Sequence, residues 1–381
     1  MGALTGLGTE YIVRSMSQII GKDRSTTTME QAVVDALRTV KDPDLHKDIV
    51  SLNFVKNLRA ENGKVSFTIE LTTPACPVKK DMEQWAREAV QKISGVREVE
   101  IQMTSAVTAG SQGAGKQAIP GVKNIIAVGS GKGGVGKSTV TVNLASALAT
   151  TGARVGLMDA DVYGPNVPLM MGVTGRPHAV HNRIQTLSNY GVSVMSMGFL
   201  TADDTPLIWR GPMLHSVIQQ FVRQVDWGNL DYLLIDLPPG TGDVQLTLTQ
   251  TVPLMGAVVV STPQDVALQD ARKAIMMFRQ VRVEVLGIVE NMSYFQCPNC
   301  NHRTDIFSHG GGSATAAKYG VPFLGEVPLD ITVREGGDVG KPIVLANPDA
   351  PAAKAFAQIA LNVAAQVSIA NINNLNAMII Q

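Results

Sequence analysis

Gly129-Ser-Gly-Lys-Gly-Gly-Val-Gly-Lys-Ser-Thr139 is the stretch of sequence that decides the fold. It satisfies the spacing G-x-x-x-x-G-K-[ST] from Gly131 to Ser138, follows the apolar run Asn124–Val128 and precedes a helical pattern. Glycines let successive backbone N–H groups point at phosphate oxygens, and the helix N-terminus adds partial positive charge. This strand–loop–helix context predicts a phosphate-binding loop rather than a glycine-rich turn without a ligand.

Within the loop, we expect Lys137 to reach the β- and γ-phosphates and the Ser138 hydroxyl to ligate magnesium. Lys132 is an addition to the pattern. It is either a solvated loop lysine or a side chain that contacts nucleotide across a dimer interface, as an arginine finger does. The spacing leaves both alternatives open. The residues predicted to bind nucleotide are Gly131, Lys132, Gly133, Gly134, Val135, Gly136, Lys137, Ser138 and Thr139.

Acidic residues follow two other apolar runs. Asp236 ends the predicted strand Tyr232–Ile235, where a carboxylate would support the magnesium ion, and the glycine-punctuated loop Leu237–Asp243 is placed to sense the γ-phosphate. Asp159 and Asp161 also follow a strand end, which is the ligand-binding edge of a parallel sheet. We expect Asp161 to orient or activate the attacking water and Asp159 to hold the loop. Because no Asn/Thr-Lys-x-Asp guanine signal is present, ATP is favoured over GTP.

Cys297 and Cys300 lie three positions apart in a polar, turn-rich stretch, and two such thiolates can bind one metal together. The alternatives are a redox dithiol, a zinc site with His302, an iron–sulfur cluster completed by a second chain, and a pair of incidental thiols. The irregular residues after Cys300 disfavour the redox dithiol, and the lack of an obvious fourth ligand disfavours the zinc site. Cys76, in the loop Thr72–Pro77, is interpreted as a small buried residue at a turn rather than an accessory thiolate.

Beyond residue 121, short apolar runs alternate with helical stretches, which predicts an α/β fold with a mostly parallel sheet covered by helices on both faces. The predicted strands are Asn124–Val128, Arg154–Met158, Val192–Ser196, Tyr232–Ile235, Ala257–Ser261, Val285–Val289 and Phe323–Gly325.

A small α+β domain is predicted in front, in the order helix–strand–strand–helix–strand. Its first helix is expected over Met29–Val40, and its first two strands, Ile49–Leu58 and Lys64–Leu71, flank the turn dipeptide Asn62-Gly63. The predicted organisation is a tail over 1–28, the small domain over 29–103, a flexible linker over 104–121, the large domain over 122–368 and a tail over 369–381.

Composition excludes several classes of protein. Lys plus Arg and Asp plus Glu both number 32 in 381 residues, so nothing indicates a nucleic-acid or anionic-membrane surface. No apolar run is expected to approach the roughly 20 residues that span a bilayer, and no signal peptide is recognised. Three cysteines argue against a disulfide framework and for a reducing compartment. We therefore expect a cytoplasmic protein without nucleic-acid or membrane partners.

These motifs together resemble the Mrp (ApbC-like) family of iron–sulfur cluster carriers, within the MinD-like deviant Walker A group of P-loop ATPases. The resemblance covers the chain from about Met29 to about Val367, and the front domain is similar to the small domain of iron–sulfur assembly factors. Its most specific parts are residues 131–139, 159–166 and 236–243, completed by 208–213, 290–293 and the pair Cys297/Cys300.

For the nucleotide, the resemblance implies a homodimer in which Lys132 reaches the partner's ATP. It places Asp161 in switch I and Asp236 in switch II. It also places Asn291 at the adenine-reading position, with Pro328–Asp330 flanking the base.

For the metal, the resemblance implies a [4Fe–4S] cluster that bridges Cys297 and Cys300 of two subunits. The expected function is an ATP-dependent carrier that hydrolyses ATP slowly, takes a cluster from an assembly scaffold and delivers it to apoproteins. One alternative is a MinD- or partition-type ATPase that positions a cargo without a metal, although the chain lacks the basic amphipathic tail of those relatives. Another is a metal-free interaction protein whose ATP site is a timer.

Overall fold

The computed structural model describes residues 24–109, 118–161, 164–200 and 211–380. These residues divide into two compact units, the first ending at Ala106 and the second beginning at Val107. Most of the predicted N-terminal tail, the centre of the predicted linker, residues 162–163 of the 159–166 motif and residues 208–210 of the 208–213 motif lie outside the described residues.

The first unit is a small α+β fold in which β2 is the central strand. β2 pairs antiparallel with β1 and parallel with β3, and the predicted order helix–strand–strand–helix–strand is the order observed. Val65, Phe67 and Ile69 alternate along β2 and are buried in the core of the unit. The elements are α1 (Arg24–Leu37), β1 (Val55–Glu61), β2 (Lys64–Leu71), α2 (Lys79–Gln91) and β3 (Glu98–Ser105).

One predicted strand, Ile49–Leu58, begins later than expected, because β1 starts only at Val55. The Asp48 carboxylate accepts hydrogen bonds from the backbone N–H groups of Val50 (3.1 Å) and Ser51 (2.8 Å), and Asn53 has a left-handed φ of 58°. Such side chain–backbone bonds favour a turn over an extended strand. The prediction was wrong there because the apolar residues of this turn are buried as strand residues would be.

The second unit is built on an eight-stranded sheet with the order β16-β13-β12-β4-β11-β5-β9-β8. All neighbouring strands in it are parallel except β8 and β9, and all seven strands predicted for this region are present. The strands of this sheet are β4 (Val122–Gly129), β5 (Val155–Asp159), β8 (Leu187–Asn189), β9 (Val192–Ser196), β11 (Leu230–Asp236), β12 (Gly256–Ser261), β13 (Val285–Glu290) and β16 (Phe323–Glu326). Outside it, β6 (Ala179–Val180), β7 (Arg183–Gln185) and β10 (Val225–Asp226) form a three-stranded sheet, and β14 (Phe295–Gln296) and β15 (Arg303–Thr304) form a hairpin.

Helices connect the parallel strands of the eight-stranded sheet. Every residue of β5, β11, β12 and β13 is buried, as expected of parallel strands covered on both faces. β4 lies at the centre of the sheet, between β11 and β12, and the phosphate loop follows its last residue. The helices are α3 (Lys137–Thr150), α4 (Val167–Met170), α5 (Gly211–Gln224), α6 (Asp243–Thr251), α7 (Asp265–Gln280), α8 (Gly311–Tyr319), α9 (Ile331–Asp338), α10 (Ile343–Ala346) and α11 (Pro351–Ile380), and Met197–Leu200 forms a 3₁₀ turn.

α11 differs from the expectation that no segment reaches the length of a membrane span. Its part Pro351–Asn374 is long and apolar enough by length and composition, with a mean hydropathy of 1.4, and 56% of the most apolar window is buried. A core helix passes the same test, and Phe356, Ile359 and Val363 of α11 are buried. Residues 369–380, predicted as part of a tail, continue this helix.

Two buried amides join α11 to the start of β4. Asn371 Nδ2 donates to Asn124 Oδ1 (3.0 Å) and to the carbonyl of Thr108 (3.2 Å). Asn124 Nδ2 in turn donates to the carbonyls of Thr108 (3.0 Å) and Asp231 (3.3 Å). Removal of one partner would leave buried polar groups without hydrogen bonds. An unsatisfied buried group costs more free energy than a hydrogen bond contributes to stability.

We therefore expect Asn371→Ala to lower the free energy of unfolding by about 1–3 kcal/mol. Asn373→Ala, on the exposed side of the same helix, should change it by less than about 0.5 kcal/mol. Urea denaturation of the full chain, followed by circular dichroism, measures both. Equal midpoints for the two variants would contradict a stabilising role for the amide pair.

Candidate functional site

The phosphate loop lies between β4 and α3, and its glycines are required by backbone geometry. Gly134 and Gly136 have left-handed φ values of 81° and 78°, which strain other residues. A Cβ at Gly131 would lie 2.1 Å from the carbonyl oxygen of Asp270, and one at Gly136 would lie 2.3 Å from Asn291 Nδ2. The loop is thus held in one conformation by close packing against two neighbouring segments.

The structure brings Lys137, Ser138 and Asp236 together at the loop. One carboxylate oxygen of Asp236, Oδ2, lies 2.7 Å from Lys137 Nζ and accepts a 2.6 Å hydrogen bond from the Ser138 hydroxyl. The other accepts a 2.7 Å bond from the Thr141 hydroxyl. Thr141 was missed by the sequence analysis, although it lies three positions after Ser138 and therefore on the same helix face. The Lys137 and Asp236 side chains are only 6% and 1% exposed, so this is a buried, fully bonded ion pair.

Asp159 ends β5 beside Asp236, its register partner in β11. It is fully buried and accepts hydrogen bonds from the Ser196 hydroxyl (2.8 Å) and from the backbone N–H of Asp161 (3.1 Å). Burial and the nearby negative charge of Asp236 raise the pKa of Asp159. These contacts are those of a residue that holds a loop, as predicted for Asp159. Asp161 itself is buried and accepts a 3.3 Å bond from the N–H of Gly164.

Lys132 lies within the phosphate loop, after Gly131. Its carbonyl accepts a 2.9 Å hydrogen bond from the Ser130 hydroxyl, which fixes its backbone, and the residue is half-exposed. Within the single chain the two alternatives for its side chain, solvation and contact with a partner's nucleotide, both remain predictions.

A cavity of about 310 Å³ adjoins the loop, at the lower end of the range typical of small-molecule sites. Asn291, assigned to the base by resemblance, is 6% exposed and donates a 2.9 Å hydrogen bond from Nδ2 to the carbonyl of Val135 in the phosphate loop. Met292 and Arg334 line the cavity as well and were not predicted. The lining residues are Thr139, Asn166, Leu169, Met170, Asn291, Met292, Pro328, Leu329, Asp330, Val333, Arg334, Gly337 and Asp338.

Cys297 and Cys300 lie on the loop of the hairpin formed by β14 and β15. The Cys297 N–H donates to the carbonyl of His302 (3.0 Å), and the Asn301 N–H donates to the carbonyl of Cys297 (2.9 Å). Backbone N–H groups of Asn299 and Cys300 lower the pKa of the Cys297 thiol. In the part of the chain that the structure describes, no group of three or more His, Cys, Asp or Glu side chains is arranged to hold a metal ion.

Cys76 belongs to the first unit and is chemically different from the hairpin pair. Burial, reinforced by the carboxylates of Asp42 and Asp44, raises the pKa of its thiol to about 11. Cys76 was predicted to be a small buried residue at a turn, and in the structure its side chain is partly buried.

Alkylation of the reduced, metal-free protein tests this difference. Because a lower pKa gives a larger thiolate fraction, Cys297 should react with iodoacetamide at pH 8 at least about ten times faster than Cys76. The rate at Cys76 should keep rising as pH increases towards about 11. Peptide mass spectrometry resolves the sites, and urea-unfolded protein, in which all three thiols should react alike, is the control. Equal rates at Cys76 and Cys297 in the folded protein would contradict these environments.

Comparison with known proteins agrees with this architecture. Residues 121–364 match the family described as NUBPL iron-transfer P-loop NTPase, and residues 30–102 match a family described as iron-sulfur cluster assembly protein. An iron-sulfur cluster carrier protein of Synechocystis is 51% identical over 345 residues, which cover 89% of this chain and 98% of the relative. The mouse (Mus musculus) iron-sulfur cluster transfer protein NUBPL is 53% identical over 257 residues, which cover 66% of this chain and 81% of the relative.

Among solved structures, a nucleotide-binding protein from Archaeoglobus fulgidus in complex with ADP is 42% identical and superposes with a TM-score of 0.54, covering 61% of this chain and 91% of that one. The predicted fold class, a P-loop NTPase with a small α+β unit in front, is confirmed, and so is the predicted resemblance to the Mrp (ApbC-like) carriers. The chain belongs to the family of NUBPL iron-transfer P-loop NTPases.

Proposed function

We propose that this chain is an ATP-dependent iron–sulfur cluster carrier, which binds a cluster with Cys297 and Cys300 and delivers it to apoproteins. The observation that carries the proposal is that one unit combines a bonded Lys137–Ser138–Asp236 phosphate site with two thiols on a solvent-accessible hairpin. Relatives that are about half identical over most of the chain bear the names of cluster carrier and transfer proteins.

ATP is the nucleotide of the proposal. Its β- and γ-phosphates would draw Lys137 away from Asp236, because a buried lysine is stabilised by the larger negative charge. Ser138 and Asp236 supply adjacent oxygen atoms, the donor set that Mg²⁺ prefers, and a bound ion would neutralise phosphate charge there. Asp161, at the end of the neighbouring strand, would orient the attacking water.

The cluster is the cargo. One chain offers two thiols, whereas an iron–sulfur cluster takes four cysteine ligands, so two chains related by a two-fold axis would complete a [4Fe–4S] site. The same dimer would bring Lys132 to the partner's nucleotide. Hydrolysis, which we expect to be slow, would then change an interface that contains the cargo.

Anaerobic reconstitution with iron and sulfide tests the metal site. The wild type should hold about one cluster per dimer, measured as iron, sulfide and visible absorption, and Cys76→Ala should hold as much. The double variant Cys297→Ala/Cys300→Ala should hold none. A wild type without a stoichiometric cluster, or a double variant that holds the same amount, would overturn the carrier and favour an ATP-driven positioning protein.

Asp236→Asn tests the phosphate site. The change removes the negative charge beside Ser138 while keeping the size of the side chain, so we expect kcat for ATP hydrolysis to fall at least about 100-fold. Asp349→Asn, at an exposed carboxylate after α10, is the matched control and should retain wild-type turnover. Steady-state phosphate release with magnesium measures both. Wild-type turnover in Asp236→Asn would exclude the carboxylate from the reaction.

A further inference from the structure

Residues 291–294, here called the connecting segment, lead from β13 to the cysteine hairpin. The segment does not behave as a free loop, because it continues the ladder between β13 and the chain after β16. The Ser293 N–H donates to the carbonyl of Val327 (2.9 Å), and the Leu329 N–H donates to the carbonyl of Tyr294 (2.7 Å). Phe295, the first residue of β14, forms a parallel bridge with Leu329. Residues 293–295 are thus bonded to residues 327–329.

The start of the connecting segment lines the cavity beside the phosphate loop, in which we place the base of the bound nucleotide. Asn291 and Met292 line the cavity, and so does Leu329, whose N–H is bonded to the carbonyl of Tyr294. Asn291 also bonds to the carbonyl of Val135 in the phosphate loop. A nucleotide in the cavity therefore contacts a segment that reaches Cys297 only five positions after Met292.

Arg303 joins the far end of the segment to the hairpin. It belongs to β15, opposite Gln296, the residue before Cys297. Its guanidinium carbon lies 3.8 Å from the centroid of the Tyr294 ring, and Nη1 lies 3.2 Å from Glu326 Oε1 at the end of β16. A planar guanidinium can stack on a ring and bind a carboxylate at the same time, which a lysine ammonium cannot reproduce. One side chain thus contacts the hairpin strand, the connecting segment and β16.

A shared hydroxyl gives this junction two possible hydrogen-bond arrangements. Ser293 Oγ lies 2.6 Å from Glu290 Oε1 and 3.1 Å from Glu326 Oε2, and its single proton can be donated to only one of them at a time. Glu290 also accepts a hydrogen bond from the N–H of Gly312, at the start of α8. Arg303 is bound by two carboxylates, because Nη1 lies 3.2 Å from Glu326 Oε1 and Nε lies 3.2 Å from Asp305 Oδ1. A shift of the Ser293 hydroxyl would change the hydrogen bonding of Glu326 and so its attraction for Arg303.

We propose that Arg303 is a positioning residue through which nucleotide in the cavity controls how firmly the hairpin holds Cys297 and Cys300. The part of this proposal that concerns cluster release rests on the proposed function. The mechanical part does not, because it concerns the accessibility of two thiols in metal-free protein. Coupled sites typically change one another's affinity by about 5-fold or more.

Metal-free protein provides the first measurement. The alkylation rate of Cys297 and Cys300 is compared with and without a non-hydrolysable ATP analogue and magnesium. In the wild type we expect the alkylation rate with the analogue to differ at least about 5-fold from the rate without it. In Arg303→Gln the ratio of these two rates should be about one. The ratio in Arg303→Lys should lie between those of the wild type and Arg303→Gln. Lys64→Gln removes an exposed cation that bridges Glu98 and Glu100 in the first unit, and this variant should keep the wild-type ratio.

Two further measurements on Arg303→Gln show whether the variant still binds nucleotide and still folds. They are its nucleotide affinity and the midpoint of its urea denaturation. Both should equal the wild-type values, because Arg303 lines neither the cavity nor the core. A wild-type alkylation ratio in Arg303→Gln, or no nucleotide effect in the wild type, would overturn the proposal.

Reconstituted protein provides the second measurement, the rate at which a chelator removes the cluster with and without the analogue. The wild-type rate should depend on nucleotide and the Arg303→Gln rate should not, with both proteins loaded to the same iron content. Equal nucleotide dependence in the two proteins would overturn the role of Arg303 while leaving the carrier function intact. Failure of the wild type to load would overturn the carrier function, and the alkylation ratios would still decide the mechanical connection.

Discussion

The buried ion pair between Lys137 and Asp236 is the constraint on which the rest of the site depends. Two charges at the carboxyl edge of a parallel sheet are tolerated only because each is bonded, Asp236 to Lys137 and to the hydroxyls of Ser138 and Thr141. The same carboxylate raises the pKa of Asp159 on the neighbouring strand. The charged groups at the ends of β5 and β11 and in the first turn of α3 therefore interact with one another. A ligand that separates Lys137 from Asp236 must itself pair with the buried charge that is left without a partner.

Predictions from the sequence were reliable where local geometry admits few alternatives. The phosphate loop was found because its motif places Gly131, Gly136, Lys137 and Ser138 at a fixed spacing between a strand and a helix. The strands β5, β11, β12 and β13 were found because parallel strands buried on both faces give continuous apolar runs. The start of β1 was wrong because hydrogen bonds from Asp48 turn a chain whose apolar residues are nonetheless buried. The apolar length of α11 was missed because polar residues such as Asn371 interrupt its pattern, and the hydrogen bond from Asn371 Nδ2 to Asn124 joins residues that are distant in sequence.

The candidate site shows the same limit. Lys137, Ser138 and Asp236 were predicted individually, and their meeting follows from the ends of adjacent parallel strands. Residues whose partners are remote in sequence carried no such signal. Arg303 is a polar residue in an irregular stretch until Glu326 is seen beside it, and Met292 becomes a cavity wall only when the chain after β16 packs against it.

The exposed cysteine hairpin also has a consequence for oxidation. An accessible thiol with a lowered pKa is the first to form a sulfenic acid, and a second thiol close in the chain condenses with it to a disulfide with loss of water. In the metal-free chain Cys297 meets the first condition and Cys300 is the second thiol, whereas burial raises the pKa of the Cys76 thiol to about 11. Oxidant and metal thus compete for the same two sulfur atoms, so metal capacity would be lost to oxidative stress without unfolding and restored by a dithiol reductant.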